Sequence, residues 1–401
     1  MAQPIQQLPY FPNRNQYEAQ TSEYLQKQPM EALPRGFPKK LVSEMAWERE
    51  DISLDHTTDR ETPYLVILQD SHLVEIDAAL RHFQALNQPL EALNSLTFPL
   101  PSLHSILRST SDNLHSGYGF ALVRGVPVER YTSKENMIIY LGISSHIAPI
   151  RGRQDHQFKG QPADVMVAHI TDMRRPGEAQ DFALPAYSDG EVIFHTDSGD
   201  IVSLFVLSEP LRGGDSLLAS GWTVYNALAE TRPDLIRALA EDWPIPSAQQ
   251  PGLVNNRPLL FHQPASETAP ERVILQFSRR SFSGFGARSQ MSTMLTPTQV
   301  EALNALHFLA EKYHVTMELK RGDMQFLNNL SMLHARKSYE DDTKNRRHLL
   351  RLWLRDPQNS WVTPEPLRNR SDRIFSEGFE SGLQMFPVDP TPRSVGRAPI
   401  P

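Results

Sequence analysis

The chain is 401 residues long, 39% apolar and 22% charged, with a formal net charge of −7 and 32 prolines. Those values suit a folded protein with a sizeable core, arranged as one large domain or two ordinary ones. There is no cysteine, which excludes disulfides, thiolate zinc sites, iron–sulfur clusters and a cysteine nucleophile, so any metal must be held by histidine and carboxylate.

Met1 to Gln20 has no apolar run behind a positive start, so no secretory signal is expected. Residues 1–40 are rich in Gln, Pro and Tyr, lack periodicity and read as an extended arm. Leu73, Ile76, Leu80 and Phe83 recur at three- and four-residue steps, which predicts an amphipathic helix over Asp70 to Asn87. A second helix is expected from Pro101 to Leu114. Strand signals begin with Tyr118 to Val123 and stop at Gly125. They recur at 164–168, 201–207, 258–261, 272–277, 315–319, 324–328 and 348–354.

Between them helices are expected near 223–240 and 297–313. The latter opens with Thr296-Pro297-Thr298-Gln299, a capping box with proline at the first helical position. Lys320-Arg321-Gly322-Asp323 separates Val315-Met317-Leu319 from Met324 to Leu327, and the pair reads as a hairpin. Many short strands with a few covering helices predict a mainly β, α+β architecture of sandwich or barrel type. No apolar stretch of about 18 residues occurs, so no membrane span is expected. The longest basic cluster is Lys344 with Arg346 and Arg347, too little for a nucleic-acid partner. The expectation is a soluble cytoplasmic enzyme.

Three elements carry candidate chemistry. His195-Thr196-Asp197 follows the strand-like Glu191 to Phe194, and alternate residues of an extended segment point the same way. Two histidines and one carboxylate on one octahedral face leave three positions open, as non-haem iron(II) oxygenases require. Alone, the tripeptide fits equally a histidine bonded to a loop aspartate. His334 follows the strand and turn from Met324 to Ser331, where a satisfied core histidine would look the same. Arg347, Leu349, Arg351, Trp353 and Arg355 share one face of a predicted strand, and His348, Leu350, Leu352 and Leu354 share the other. An exposed face explains this pattern, and so does a barrel interior where guanidinium groups pair bidentately with carboxylates. Arg279 and Arg280 end a core strand and suit either a pocket mouth or the surface.

In order and spacing, these elements resemble the TauD/TfdA-type (taurine dioxygenase, clavaminate synthase-like) iron(II)/2-oxoglutarate oxygenases over roughly residues 117–356. Gly117 to Gly125 is similar to the family's opening strand and His195-Thr196-Asp197 to its proximal metal pair. Glu209-Pro210 through Gly213-Gly214-Asp215-Ser216 looks like the segment ending in a hydroxyl on the co-substrate. Asn329 and His334 match the family's Asn and distal histidine, and Arg347 its 2-oxoglutarate arginine.

The resemblance implies a double-stranded β-helix (jelly-roll) domain over 111–365, preceded by an arm and helices (1–110) and followed by a tail (366–401). It implies that His195, Asp197 and His334 bind Fe(II). 2-Oxoglutarate would chelate that iron and reach Arg347 and Ser216, and O2 would be the third reactant in oxidising a C–H bond. The segment from Asp197 to Gly213 is shorter than in taurine dioxygenase, so Thr223 fits the hydroxyl position by spacing and Ser216 by local motif. Ser216 is preferred.

Arg351 lies four residues after Arg347, where relatives hold an anionic group, which implies a small carboxylate-bearing substrate such as an amino acid or derivative. Hydroxylation, desaturation and ring closure remain open. Asp197 leaves no vacancy for the chloride of a halogenase. The N-terminal 100 residues and Phe326 to Asn329 look like fungal natural-product members of the family. Taurine dioxygenase-like proteins are often oligomeric, so a homo-oligomer is compatible with the resemblance. A zinc hydrolase using the same three ligands, or a non-catalytic jelly-roll binding protein, are the rival readings.

Overall fold

The computed structural model describes residues 8–27, 31–55, 62–174, 184–246, 253–267, 269–285, 295–375 and 384–394. Its frame is two sheets. The larger runs Leu65–Ile67, Phe120–Arg124, Met324–Asn328, Ile201–Ser208, His348–Arg355, Ile150–Gly152, with Ala168–Thr171 also paired to His348–Arg355. The smaller runs Val315–Met317, Ser216–Ser220, Met332–Arg336, Val192–His195. Within these two sheets only Leu65–Ile67 pairs in parallel. From residue 192 onward the chain passes repeatedly from one sheet to the other, which gives the jelly roll.

The two-residue period of each strand decides what it buries. Leu350, Leu352 and Leu354 join Ala121, Val123, Phe205 and Phe326 in a core shared with helices Asp70–Leu86, Leu103–Ser116 and Ser133–Ile147. The alternate residues Arg347, Leu349, Arg351 and Trp353 line an interior cavity instead. A second core gathers Leu217, Leu218, Leu333 and Met332 of the smaller sheet with helices Gly221–Thr231, Pro233–Ala240 and Pro297–Tyr313. Among the described residues no helix is long and apolar enough to cross a membrane.

Several local expectations are corrected. The 315–319 and 324–328 segments do not form a hairpin: Val315–Met317 pairs with Ser216–Ser220, whereas Met324–Asn328 lies between Phe120–Arg124 and Ile201–Ser208. The turn between them is pinned to the larger sheet. Gly322 has φ +86, and a Cβ there would run into the Val126 carbonyl. Arg124 meanwhile donates to both oxygens of the fully buried Asp323, at 2.9 and 2.7 Å.

Within the expected extended arm stands a helix, Arg14–Lys27, with no buried residue. It is held instead by a 2.6 Å ion pair from Arg14 to Glu311 and by Tyr17 against the Phe308 ring. The predicted 223–240 helix is two helices, divided at Arg232 where Pro233 opens the second. Helix Ser133–Ile147 was not expected because it is apolar on nearly every side, so no amphipathic stripe marks it. Its Thr132/Glu135 capping box was the available signal.

Candidate active site

The smaller sheet puts His195 directly opposite His334 on adjacent strands, with ring centroids 4.2 Å apart. One residue past the strand, Thr196 turns away and exchanges hydrogen bonds with the Phe277 backbone, at 2.7 Å from its N–H and 2.9 Å to its hydroxyl. Asp197 therefore returns to the histidine side. Asn329 fixes that return, accepting from the Asp197 N–H and donating to the Gly199 carbonyl, both at 2.6 Å.

The ligand atoms of His195, Asp197 and His334 lie within 4.8 Å of one another. His195 Nε2 and Asp197 Oδ1 are 4.0 Å apart, beyond hydrogen-bond distance, so they are close without satisfying each other. His195 Nδ1 is occupied by the Ile193 carbonyl at 2.9 Å, which turns Nε2 to the cluster. Asp197 Oδ2 accepts from Arg351 Nη1 at 2.7 Å and Trp353 Nε1 at 3.3 Å, which leaves Oδ1 facing the imidazoles.

Burial would raise the Asp197 carboxyl, but Arg351, followed by the two imidazoles, holds it well below the usual carboxylate range. Burial and neighbouring His195 push His334 down to about 3, and burial also lowers His195. An ionised carboxylate beside two neutral imidazoles is the state in which all three can ligate. This donor set fits a divalent transition metal such as iron(II).

Arg347 sits in the same cavity. Its guanidinium is buried, Nη1 has no hydrogen-bond partner, and no carboxylate among the described residues lies within ion-pair distance. Burial, ahead of the adjacent Arg336 charge, pushes it down to about 9. Arg336 and Arg347 share the Tyr339 ring, at 4.8 and 5.3 Å from its centroid. The Gly-Gly turn makes room for this group. Gly214 has φ +77, and a Cβ there would stand 2.9 Å from Arg347 Nε.

Comparison with known proteins gives the arrangement its kinship. Residues 82–353 match the model of the "Taurine catabolism dioxygenase TauD, TfdA family". The chain belongs to the TauD/TfdA dioxygenase family. It is an iron- and 2-oxoglutarate-dependent oxidoreductase of that kind. It is 35% identical over 371 residues to the taurine hydroxylase-like protein SAT17 of Stachybotrys chartarum, covering 89% of this chain and 91% of that one. FR-33289 synthase of Streptomyces rubellomurinus is 22% identical, with 79% and 90% covered. Among solved structures, asparagine oxygenase in complex with Fe(II), hydroxyasparagine and succinate aligns with TM-score 0.52 at 17% identity, over 74% of this chain and 95% of that one. The non-heme iron oxygenase OrfP in complex with Fe aligns with TM-score 0.52 at 13% identity, over 78% and 99%. At such identities these two speak for the jelly-roll fold.

In this TauD/TfdA dioxygenase a cavity of about 520 Å³ takes in His195, Asp197, Ser216, His334, Arg347 and Arg351 together. Although the chain carries −7 overall, ten lining side chains are arginines and two are aspartates. The lining therefore carries an excess of basic over acidic side chains. Ser216 is buried on the cavity wall and donates to Gln325 Oε1 at 3.1 Å. Thr223 lies outside that wall, in helix Gly221–Thr231, where its hydroxyl donates to the Trp47 carbonyl at 2.6 Å.

Arg351 faces the cavity with its donors engaged: Nη1 on Asp197, and Nε and Nη2 on Gln154 Oε1 at 3.1 and 3.0 Å. Arg279 and Arg280 both line the cavity, and Arg279 is in addition fully buried, donating to the Pro9 carbonyl and to Asn304 Oδ1 at 2.9 Å each. No sequence motif marks Arg336, Gln154, Arg370 or Arg393 as part of the site. Arg336 was findable, since it lies two residues from His334 on the same strand face. Arg370 and Arg393 stand in the C-terminal segment, where no motif marked them.

Proposed function

We propose that His195 Nε2, Asp197 Oδ1 and His334 hold Fe(II), and that Arg347 and Ser216, with Arg336, receive the far carboxylate of 2-oxoglutarate. The observation that carries this reading is a single cavity holding a two-histidine, one-carboxylate cluster and an unpaired buried guanidinium. Bound iron supplies the activation of O2 that couples 2-oxoglutarate decarboxylation to oxidation of a C–H bond.

The chain's own residues do the positioning. Arg351 and Trp353 clamp Oδ2 of Asp197, so that the carboxylate presents Oδ1 alone. Asn329 holds the backbone that carries it. Arg347 offers a planar fork that matches a carboxylate, and the Tyr339 ring lies against both it and Arg336. The apolar part of the wall, including Leu204, Leu349 and Ile193, limits water around the reacting centre. Residues 111–365 carry this chemistry, and the arm and tail complete the pocket.

The substrate is a small molecule with an anionic group, an amino acid or derivative, which suits the arginine-rich wall. Asparagine oxygenase in complex with hydroxyasparagine, and OrfP in complex with hydroxy-L-Arg, support that class. The FR-33289 synthase relative supports a biosynthetic setting.

The zinc-hydrolase reading has no use for an unpaired guanidinium facing the metal cluster. Incubation with 2-oxoglutarate under air separates the two. Fe(II)-loaded protein is expected to release succinate, and the zinc-loaded protein none. Absence of succinate from the iron form, with or without candidate substrates, would overturn this assignment.

A further inference from the structure

The proposed substrate is anionic, yet the arginine best placed by sequence to hold its charge is already engaged. The guanidinium hydrogen bonds of Arg351 all go to Asp197 and Gln154. Arg370 is likewise spent, on Gln276, the Asp197 carbonyl and Ser198. Two other guanidinium groups face the same cavity on different terms.

Arg280 opens the short helix Arg280–Ser283 and lines the cavity. Among the described residues its guanidinium has no hydrogen bond or ion pair, and its charge acts on His195 and Asp197. Arg393 arrives from the C-terminal segment and is fixed from several sides. Its N–H donates to the Tyr187 hydroxyl at 2.9 Å, Nη1 donates to the Gln154 carbonyl at 3.3 Å, and the group lies over the Trp353 ring at 5.7 Å. Ser394 anchors the segment further, donating through both its N–H and its hydroxyl to Asp155. Arg393 Nε is nonetheless buried without a partner. Its charge repels both Arg280 and Arg351 and acts on Asp197.

Two like charges brought together in a partly desolvated cavity are costly until an anion joins them. We propose that Arg280 and Arg393 form the receptor for an oxyanion group of the substrate (carboxylate, sulfonate or phosphonate), while Arg351 serves to position Asp197. This rests on the iron and 2-oxoglutarate reading above. It makes the C-terminal segment part of the substrate site and places the substrate's charge on the Asp197 side of the cavity, apart from the Arg336–Arg347 pair around Tyr339. A group with at least two terminal oxygens offers one acceptor to each guanidinium.

The test uses the full chain loaded anaerobically with Fe(II) and 2-oxoglutarate, titrated calorimetrically with L-aspartate, taurine and 2-aminoethylphosphonate. Ethanolamine, which lacks an oxyanion, is the control. At least one of the three is expected to bind with Kd at or below about 1 mM, and ethanolamine not at all. Arg280→Gln and Arg393→Gln should each weaken that binding about ten- to a hundredfold, the loss of a charge-assisted hydrogen bond. Arg393→Lys should retain most of it.

Which probe binds identifies the oxyanion. The proposal is overturned if wild-type protein binds none of the three, or if binding survives both glutamine variants. Arg280→Gln leaves the C-terminal segment untouched, so it reads the receptor even where Arg393→Gln loosens that segment. The loading step reports separately on the underlying reading. Failure of 2-oxoglutarate to bind before any probe is added would sink both.

Discussion

Arg351 Nη1 donates a 2.7 Å hydrogen bond to Asp197 Oδ2, joining a strand of the larger sheet to the carboxylate that follows strand Val192–His195 of the smaller one. Both side chains are buried or nearly so. The pair fixes which carboxylate oxygen remains for a metal.

Arg351→Gln is therefore expected to weaken Fe(II) affinity about ten- to a hundredfold, the usual cost of losing an outer partner of a ligand. Iron titration of apo-protein, followed by 2-oxoglutarate titration at saturating iron, separates the two bindings. Unchanged iron affinity with only a higher substrate KM would return Arg351 to the anion-binding role that the family resemblance implies.

Asn329 supports the same carboxylate from its backbone side. Asn329→Ala leaves the Asp197 N–H and the Gly199 carbonyl without their buried partner. The expected cost is about 1–3 kcal/mol of apo-protein stability, read as a lower urea midpoint with an unchanged slope. Iron affinity should fall with it, because the loop that aims Asp197 is released. A variant with wild-type midpoint and wild-type iron affinity would contradict this role.

Gly214→Ala targets the co-substrate arm without touching a ligand. The new methyl would lie 2.9 Å from Arg347 Nε, on a backbone at φ +77 that side chains rarely adopt. The 2-oxoglutarate KM should rise about tenfold, one misplaced charge-assisted contact, while Fe(II) affinity stays at the wild-type level. Parallel loss of both would point to general collapse of the turn.

These residues also show where the sequence was readable. His195 and Asp197 were visible as a pair because a two-residue period on a strand is a local property. The alternation from Arg347 to Arg355 was legible for the same reason, and the strand His348–Arg355 divides its faces between core and cavity as that alternation requires. What failed was non-local. The 315–328 segment has the pattern of a hairpin, but partners at least 97 residues away claim each of its strands. Helix Ser133–Ile147 is too uniformly apolar to show a face. Arg393 carries no local signal at all, since its importance comes only from docking beside Gln154, Asp155 and Tyr187.

Acid sensitivity of the apo-protein should come in part from His307, which is not a proposed ligand. Burial, ahead of the Arg279 charge, pushes it down to about 4. Its unfolded value is about 6.5, so between these values the unfolded chain binds a proton that the folded one refuses. Stability is then full above about pH 6.5, falls as pH drops through the window, and levels off near pH 4. The contribution is at most roughly 3 kcal/mol. His307→Gln should flatten the difference between urea midpoints at pH 7 and pH 5 relative to wild type. An identical pH dependence in both proteins would remove His307 from the account.

The most direct check on the central claim is anaerobic addition of Fe(II) and then 2-oxoglutarate to apo-protein, monitored by visible absorption. Wild-type protein is expected to develop the weak charge-transfer band of a chelated keto acid. His334→Ala should not develop it, and Arg347→Leu should need far more 2-oxoglutarate to reach the same intensity. A wild-type protein that binds iron yet never shows the band, or a His334→Ala variant that shows it undiminished, would contradict the assignment of this cavity.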